Sequence, residues 1–248
     1  MKRALLVYFS AKSLLNKDCS TFINGTTVSF RHSILLVAVY FLTAVSVFSQ
    51  PGQDAYIKTI TDRSVKIVNT LSIKDSLVYN KVVAQLVSQY SGLNKIQEDH
   101  KAAVAKIKQE TASEAAVAAR LKTTDEMKAA DLQVLHQSFI GGLQQLLSPE
   151  QVDLVKDGMT YRVFPITFAA YQDMIPTLSE AQKTKIYEWL KEAREIAMDA
   201  ESSDKKHAVF GKYKGRINNY LSAEGYDLKK ATEEWQQRIK ERNKTSQS

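Results

Sequence analysis

From about residue 54 onward, apolar residues recur at three- and four-residue steps, a period that fits helices and not sheets. Ile57, Ile60, Ser64, Ile67, Val68 and Leu71 mark a first helix near 54–71. A second stripe runs through Val82, Leu86, Tyr90, Leu93, Gln97, His100, Val104 and Ile107 and continues into Ala112–Leu121, which favours helix by propensity alone. Unbroken from 75 to 122, this element would extend roughly 70 Å at 1.5 Å per residue, with Ser91-Gly92 as its bend. Thr123 and Glu126 read as a capping box, opening a return helix whose Leu132, Leu135, Phe139, Leu143 and Leu146 point inward. An antiparallel hairpin over 95–147 follows. With only 9 Gly and 4 Pro to interrupt the pattern, the expected fold class is all-α: a long antiparallel helical hairpin in 54–147 and a C-terminal helical bundle in 148–243.

One local design recurs at Leu71–Asp75, Leu147–Gln151 and Leu178–Gln182: a Ser N-cap with a side chain three residues on that can return to the cap amide. The segment Tyr161–Pro176 resists a helical reading, because Pro165 and Pro176 bracket it, and Val163–Thr167 is expected to be extended. A helix over 179–199 follows, with Ile186, Trp189, Leu190, Ala193, Ile196 and Ala197 inward. Glu188, Glu192, Glu195 and Asp199 line its outer face, and like charges so spaced call for basic groups opposite. Those groups come next, in a helix over 205–221 with Phe210, Tyr213, Ile217, Tyr220 and Leu221 inward. Gly225 breaks the chain, Asp227 caps a last helix on Leu228, Ala231, Trp235 and Ile239, and residues 244–248 fray.

Ahead of all this stands Ser33–Ser49, SILLVAVYFLTAVSVFS, an uncharged apolar run that stops at Gln50-Pro51-Gly52. Arg31 and His32 precede it, and Val47 and Ser49 supply small residues at −3 and −1 of a cut before Gln50, the layout of a secretory signal. Its apolar length of roughly 16 residues falls short of the ~20 that span a bilayer. Residues 1–49 therefore read as a leader and 50–248 as a single exported helical domain of the periplasm or cell surface, touching a membrane only through an uncleaved leader. Of the 34 basic and 27 acidic residues, Lys2, Arg3, Lys12, Lys17, Arg31 and Asp18 belong to the leader. The exported part keeps 29 against 26, so its balance is +3 and not +7, which is no argument for nucleic acid. Cys19, the single cysteine, also precedes the cut, which removes disulfides and thiolate metal sites.

Reactive constellations are scarce. HExxH, GxSxG, phosphate-loop and calcium-loop patterns are absent, so neither a metal nor a cofactor is expected and no catalytic residue is assigned. His100 and His136 fall within or beside apolar stripes, as packing residues do. The segment His207–Tyr220 differs: Gly211 and Gly215 lie one turn apart, at about 1 kcal/mol each in helix propensity, among His207, Lys212, Lys214, Arg216, Asn218 and Asn219. The glycines fit either a tight helix crossing against the acidic 188–199 stripe or a polar recognition surface made of those six side chains. Tyr161, Tyr171, Trp189, Tyr213 and Tyr226 could add stacking platforms for sugars. Tyr213 shares the apolar phase of Phe210 and Ile217, away from Lys212 and Arg216, and the balance leans against an enzyme.

The runs Asp157–Tyr161, Glu192–Asp199 and Lys206–Leu221, with Gly225–Asp227, resemble a secreted family of Bacteroidota and related bacteria, catalogued as a domain of unknown function with the number three-eight-two-six. The resemblance implies export and an association with polysaccharide-utilisation genes. A weaker likeness, Leu147–Gln151 and Leu178–Gln182 with Ser for Thr, is to the small periplasmic helical chaperones marked by Leu-Thr-x-x-Gln. The leading expectation is an accessory carbohydrate-binding protein taking an acidic oligosaccharide: Lys212, Lys214 and Arg216 would meet carboxylates, while His207, Asn218 and Asn219 would bond hydroxyls. The alternatives are a periplasmic chaperone or assembly factor, and a polysaccharide lyase or hydrolase; no oligomeric state is assigned. Mass spectrometry of the protein from its native host should show a chain beginning at Gln50, and peptides from 1–49 in the exported protein would contradict the leader.

Overall fold

A computed structural model of the chain describes residues 51–110 and 113–245; the leader with Cys19 and the terminal residues 246–248 lie outside them. Every regular element among the described residues is helical. Helix α1 (Pro51–Val68) tightens into a 3-10 turn, Asn69–Leu71, and leads to the two long helices α2 (Ser76–Gln109) and α3 (Glu114–Gln144). Then come α4 (Pro149–Met159), α5 (Val163–Met174), α6 (Glu180–Met198), α7 (Ser203–Ala223) and α8 (Leu228–Thr245). The all-α class expected from the 3.6-residue period is the one the chain adopts.

The hairpin turns earlier than its sequence suggests. Helix α2 ends at Gln109, and Ser113 caps α3 by accepting the Ala116 amide at 3.4 Å. Thr123 and Glu126 therefore lie inside α3, the Thr123 hydroxyl donating to the Ala119 carbonyl at 3.2 Å. Alanine-rich sequence favours helix in either direction of travel, so 114–121 belongs to the return arm. Ser91-Gly92 does not interrupt α2, which is helical throughout, and a Cβ on Gly92 would come within 2.9 Å of Leu135. That glycine lets α3 approach.

Two of the three repeated helix starts are full capping boxes. Ser148 and Ser179 accept the amides of Gln151 and Gln182, whose Oε1 atoms accept the Ser amides in return. Ser72 does not belong with them. It sits left-handed at φ 54° after the 3-10 turn, and Asp75 caps α2 instead, accepting from Leu77 and Val78; a carboxylate also suits the positive end of the helix. Helix α5 overturns the extended reading of Val163–Thr167. Pro165 occupies its first turn, where a missing N–H breaks no bond. Ile175, ahead of Pro176, has left the helix at φ −126° and ψ 83°, as a residue before proline prefers.

Packing divides the helices into two apolar cores. Leu86, Phe139, Leu143 and Val155 centre the first, built by α1–α4; Ile186, Leu190, Phe210 and Ile217 centre the second, built by α5–α7 with α8 along its edge. Helix α4 thus packs with the hairpin that precedes it. Helix α6 serves both, since Met198 enters the first core. Ile196, expected inward, is exposed, and Arg194 is buried in its stead.

Each capping-box glutamine also reaches the end of a helix distant in sequence. Gln151 Nε2 donates to the Leu71 carbonyl at 2.9 Å. Gln182 Nε2 donates to the Glu224 carboxylate at 3.2 Å, and its Oε1 accepts the Tyr226 hydroxyl at 3.0 Å. Gln151→Ala and Gln182→Ala should each lower the unfolding free energy by about 1–2 kcal/mol. Urea denaturation of the double variant should give the sum, because the two staples share no partner.

Candidate functional site

The three runs that carried the family resemblance converge. Arg194, on α6, is 2% exposed. Its Nη1 donates to Asp157 Oδ1 at 2.8 Å, and Nη2 to Asp153 Oδ1 at 2.6 Å and to Glu195 Oε1 at 3.4 Å. The guanidinium also lies 5.1 Å from the centre of the Phe164 ring. On the other side of Glu195, Lys156 donates to both carboxylate oxygens, at 3.0 and 2.9 Å. His136 of α3 meets Asp199 Oδ2 at 2.9 Å and Glu195 at 3.6 Å. Hydrogen bonds to Asp199 and Glu195 raise the His136 imidazole to about 9. Burial opposes charge on Glu195, but His136, Lys156 and Arg194 prevail and hold its carboxyl down to about 2.

Helix α7 joins this cluster through Lys206, which is 5% exposed. Its ammonium donates to the carbonyls of Ala197 and Met198, both at 2.8 Å, capping the negative end of α6. Burial pulls it down to about 8. The next residue, His207, is exposed, and its ring stacks on Tyr161 with centroids 5.6 Å apart and planes 11° from parallel.

Tyr161 owes its position to an uncommon turn between α4 and α5. Tyr161 and Arg162 are both left-handed, at φ 58° and 57°, a conformation costing roughly 1–3 kcal/mol for each non-glycine residue. The Asp157 carbonyl holds the turn, accepting the amides of Thr160 at 3.1 Å and Arg162 at 2.7 Å. A Cβ on Gly158 would come within 2.9 Å of Ile67, so the glycine of this run seats α4 on α1. The outcome is a Tyr161 side chain standing 41% exposed over a fixed backbone.

The six expected binding residues do not make one cluster. His207, Lys214 and Asn218, spaced seven and four apart, share one flank of α7, while Lys212, Arg216 and Asn219, spaced four and three, share another. On the first flank Asn218 accepts the Tyr171 hydroxyl at 2.7 Å. On the second, Arg216 lies 4.5 Å from the Trp189 ring centre and 3.6 Å from Glu192. A Cβ on Gly211 or Gly215 would meet nothing within 4 Å, which rules out a tight helix crossing there. The acidic stripe of α6 is divided likewise: Glu192 turns to α7, but Glu195 and Asp199 turn to His136 and Lys156, contrary to expectation.

Of the five aromatic residues expected as stacking platforms, Tyr161 alone is exposed. Tyr171 and Tyr213 are buried, and Arg216 and Lys185 cover Trp189. Burial, with Glu192 beside it, pushes the Tyr213 phenol up to about 12. Sequence reasoning passed over Arg194 and Lys206, and took His136 as packing. Arg194 was detectable, because it lies in the apolar phase of Leu190 and Ala197, where an unpaired charge could not remain. Among the described residues no three His, Cys, Asp or Glu side chains are placed to hold a metal ion, and no helix is long and apolar enough to cross a membrane.

The cluster sets a pH dependence. Folded, His136 keeps its proton up to about pH 9; unfolded, it releases it near 6.5. Its contribution is therefore complete below about pH 6.5 and fades as pH rises through 9. Lys206 acts oppositely: its charge burdens the fold below about pH 8, and the burden lifts toward the unfolded value of 10.5. From about pH 6.5 to 8 His136 dominates the pair, so unfolding free energy should fall across that window, hold level from about 8 to 9 and recover above 9 as the Lys206 burden lifts. Denaturant titrations across the window test this, and His136→Gln should abolish the fall while lowering stability at its acid end.

The family described as "Protein of unknown function (DUF3826)" matches residues 57–241, a span that takes in the ionic cluster and the Tyr161–His207 stack. No curated protein matches the chain. By that match over most of its length, the chain belongs to the DUF3826 family of proteins of unknown function.

Proposed function

We propose that this protein is an exported accessory protein of polysaccharide utilisation, working in the periplasm or at the cell surface, which binds an acidic oligosaccharide beside Tyr161. The observation that carries the reading is the Tyr161 ring itself: exposed, stacked on His207, and kept at a costly left-handed position where glycine would fit without strain. A flat, fixed ring is the surface on which a sugar face stacks. Arg162 beside it, and Lys214 on the same flank of α7 as His207, supply exposed cations for carboxylates. The free amide nitrogen of Asn218 is left for hydroxyls once its oxygen has taken the Tyr171 proton.

Bond cleavage forms no part of this reading. Tyr213, the phenol nearest the cations of the other flank, is buried and holds its proton far above neutral pH, so it does not suit proton abstraction. A second reading, a periplasmic chaperone, draws on Met127 and Val134. They stand 63% and 67% exposed and seven residues apart on one side of α3, an apolar stripe open to an unfolded client. Suppression of client aggregation that Met127→Gln with Val134→Gln removes would favour it.

Calorimetry against acidic and neutral oligosaccharides should detect binding that Tyr161→Ala weakens by about tenfold or more, the loss of one stacking contact and its positioning. Substituting Arg216, on the far flank, should leave affinity unchanged.

A further inference from the structure

Tyr90, on α2, carries a buried hydroxyl that completes no hydrogen bond. The residue is 7% exposed, and its oxygen has no hydrogen-bond partner. Buried polar groups are ordinarily satisfied, and an exception calls for an explanation. Burial pushes the phenol up to about 12, with the neighbouring Arg63 guanidinium pulling the other way. That guanidinium lies over the ring, 5.5 Å from its centre, near enough to act on the phenol as a donor without completing a hydrogen bond to it. Arg63 is itself exposed, with no carboxylate in ion-pair range among the described residues.

The surroundings connect this pair to the platform. Arg63 stands one turn of α1 before Ile67, the side chain that meets Gly158 of α4, and Tyr161, three residues on from Gly158, stacks on His207 of α7. Residues from α1, α2, the α4–α5 turn and α7 therefore share one neighbourhood. It is cationic and aromatic, and Asp199, the carboxylate that acts on Lys206, is turned to His136.

We propose that Arg63 and Tyr90, beside the Tyr161–His207 stack, form a carboxylate subsite that receives a uronate of the bound saccharide. The guanidinium lifts from the ring, and the carboxylate bridges it and the Tyr90 hydroxyl while the sugar lies against Tyr161. Guanidinium and phenol are both donors, the complement of an acceptor-only carboxylate. The subsite deepens the saccharide-binding reading and rests on it.

The test is calorimetry of the full chain with a galacturonate oligomer and with its fully methyl-esterified form. The acid should bind, the ester about tenfold or more weaker. Arg63→Gln and Tyr90→Phe should each weaken acid binding about 10- to 100-fold, as loss of a charged hydrogen bond does, and leave ester binding unchanged. Tyr90→Phe should also leave the unfolding temperature unchanged or raised, since it removes an unsatisfied hydroxyl. A lowered unfolding temperature would reveal a structural partner for that hydroxyl and overturn the subsite. Equal binding of acid and ester, both weakened by Tyr161→Ala, would overturn the subsite and leave the saccharide reading standing. If the unaltered protein binds neither, both are overturned.

Discussion

The Arg194 guanidinium holds the two cores in register. It projects from α6 into the seam against α4, where Asp153 and Asp157 take its donors. Such a cluster is weak evidence of stability, because the desolvation of buried charge offsets much of the attraction. Its effect is on geometry. Apolar side chains tolerate sliding by a fraction of a turn, but a planar fork aimed at two carboxylates four residues apart on α4 does not. The seam fixes where α4 ends, and the end of α4 fixes the turn that presents Tyr161.

Lys156 and His136 extend that seam to α3, and Lys206 extends it to α7, so four helices share one set of charges. The surface platform stands directly on it. Asp157 takes Arg194 with its side chain and holds the Tyr161 turn with its carbonyl. Charge burial and surface display are thus two uses of the same residues.

Apolar periodicity was legible wherever a helix has one buried stripe, as in α1, α6, α7 and α8. What it could not disclose was direction. The Ala-rich stretch marked helix correctly and hid the reversal between α2 and α3, since the cap of α3 is one serine among many. Pro165 read as a break because the same residue ends a helix in mid-course and begins one in the first turn, and only the preceding left-handed pair decides between them. The candidate site was half legible. Lysines, arginine and asparagines along α7 signalled an exposed polar helix, yet their division between two flanks follows from where Phe210 and Ile217 are buried. Tyr90 and Arg63 were beyond reach, being distant in sequence and individually ordinary.

Lys206 and His207 are adjacent in sequence and opposite in fate. The first is locked against the end of α6 by two carbonyls, and this fixes the rotation of α7 about its axis. His207 inherits that rotation, and through the stack it steadies the Tyr161 ring. The ordering entropy of the platform is therefore met during folding, and a ligand arriving there finds a surface that no longer needs to be assembled.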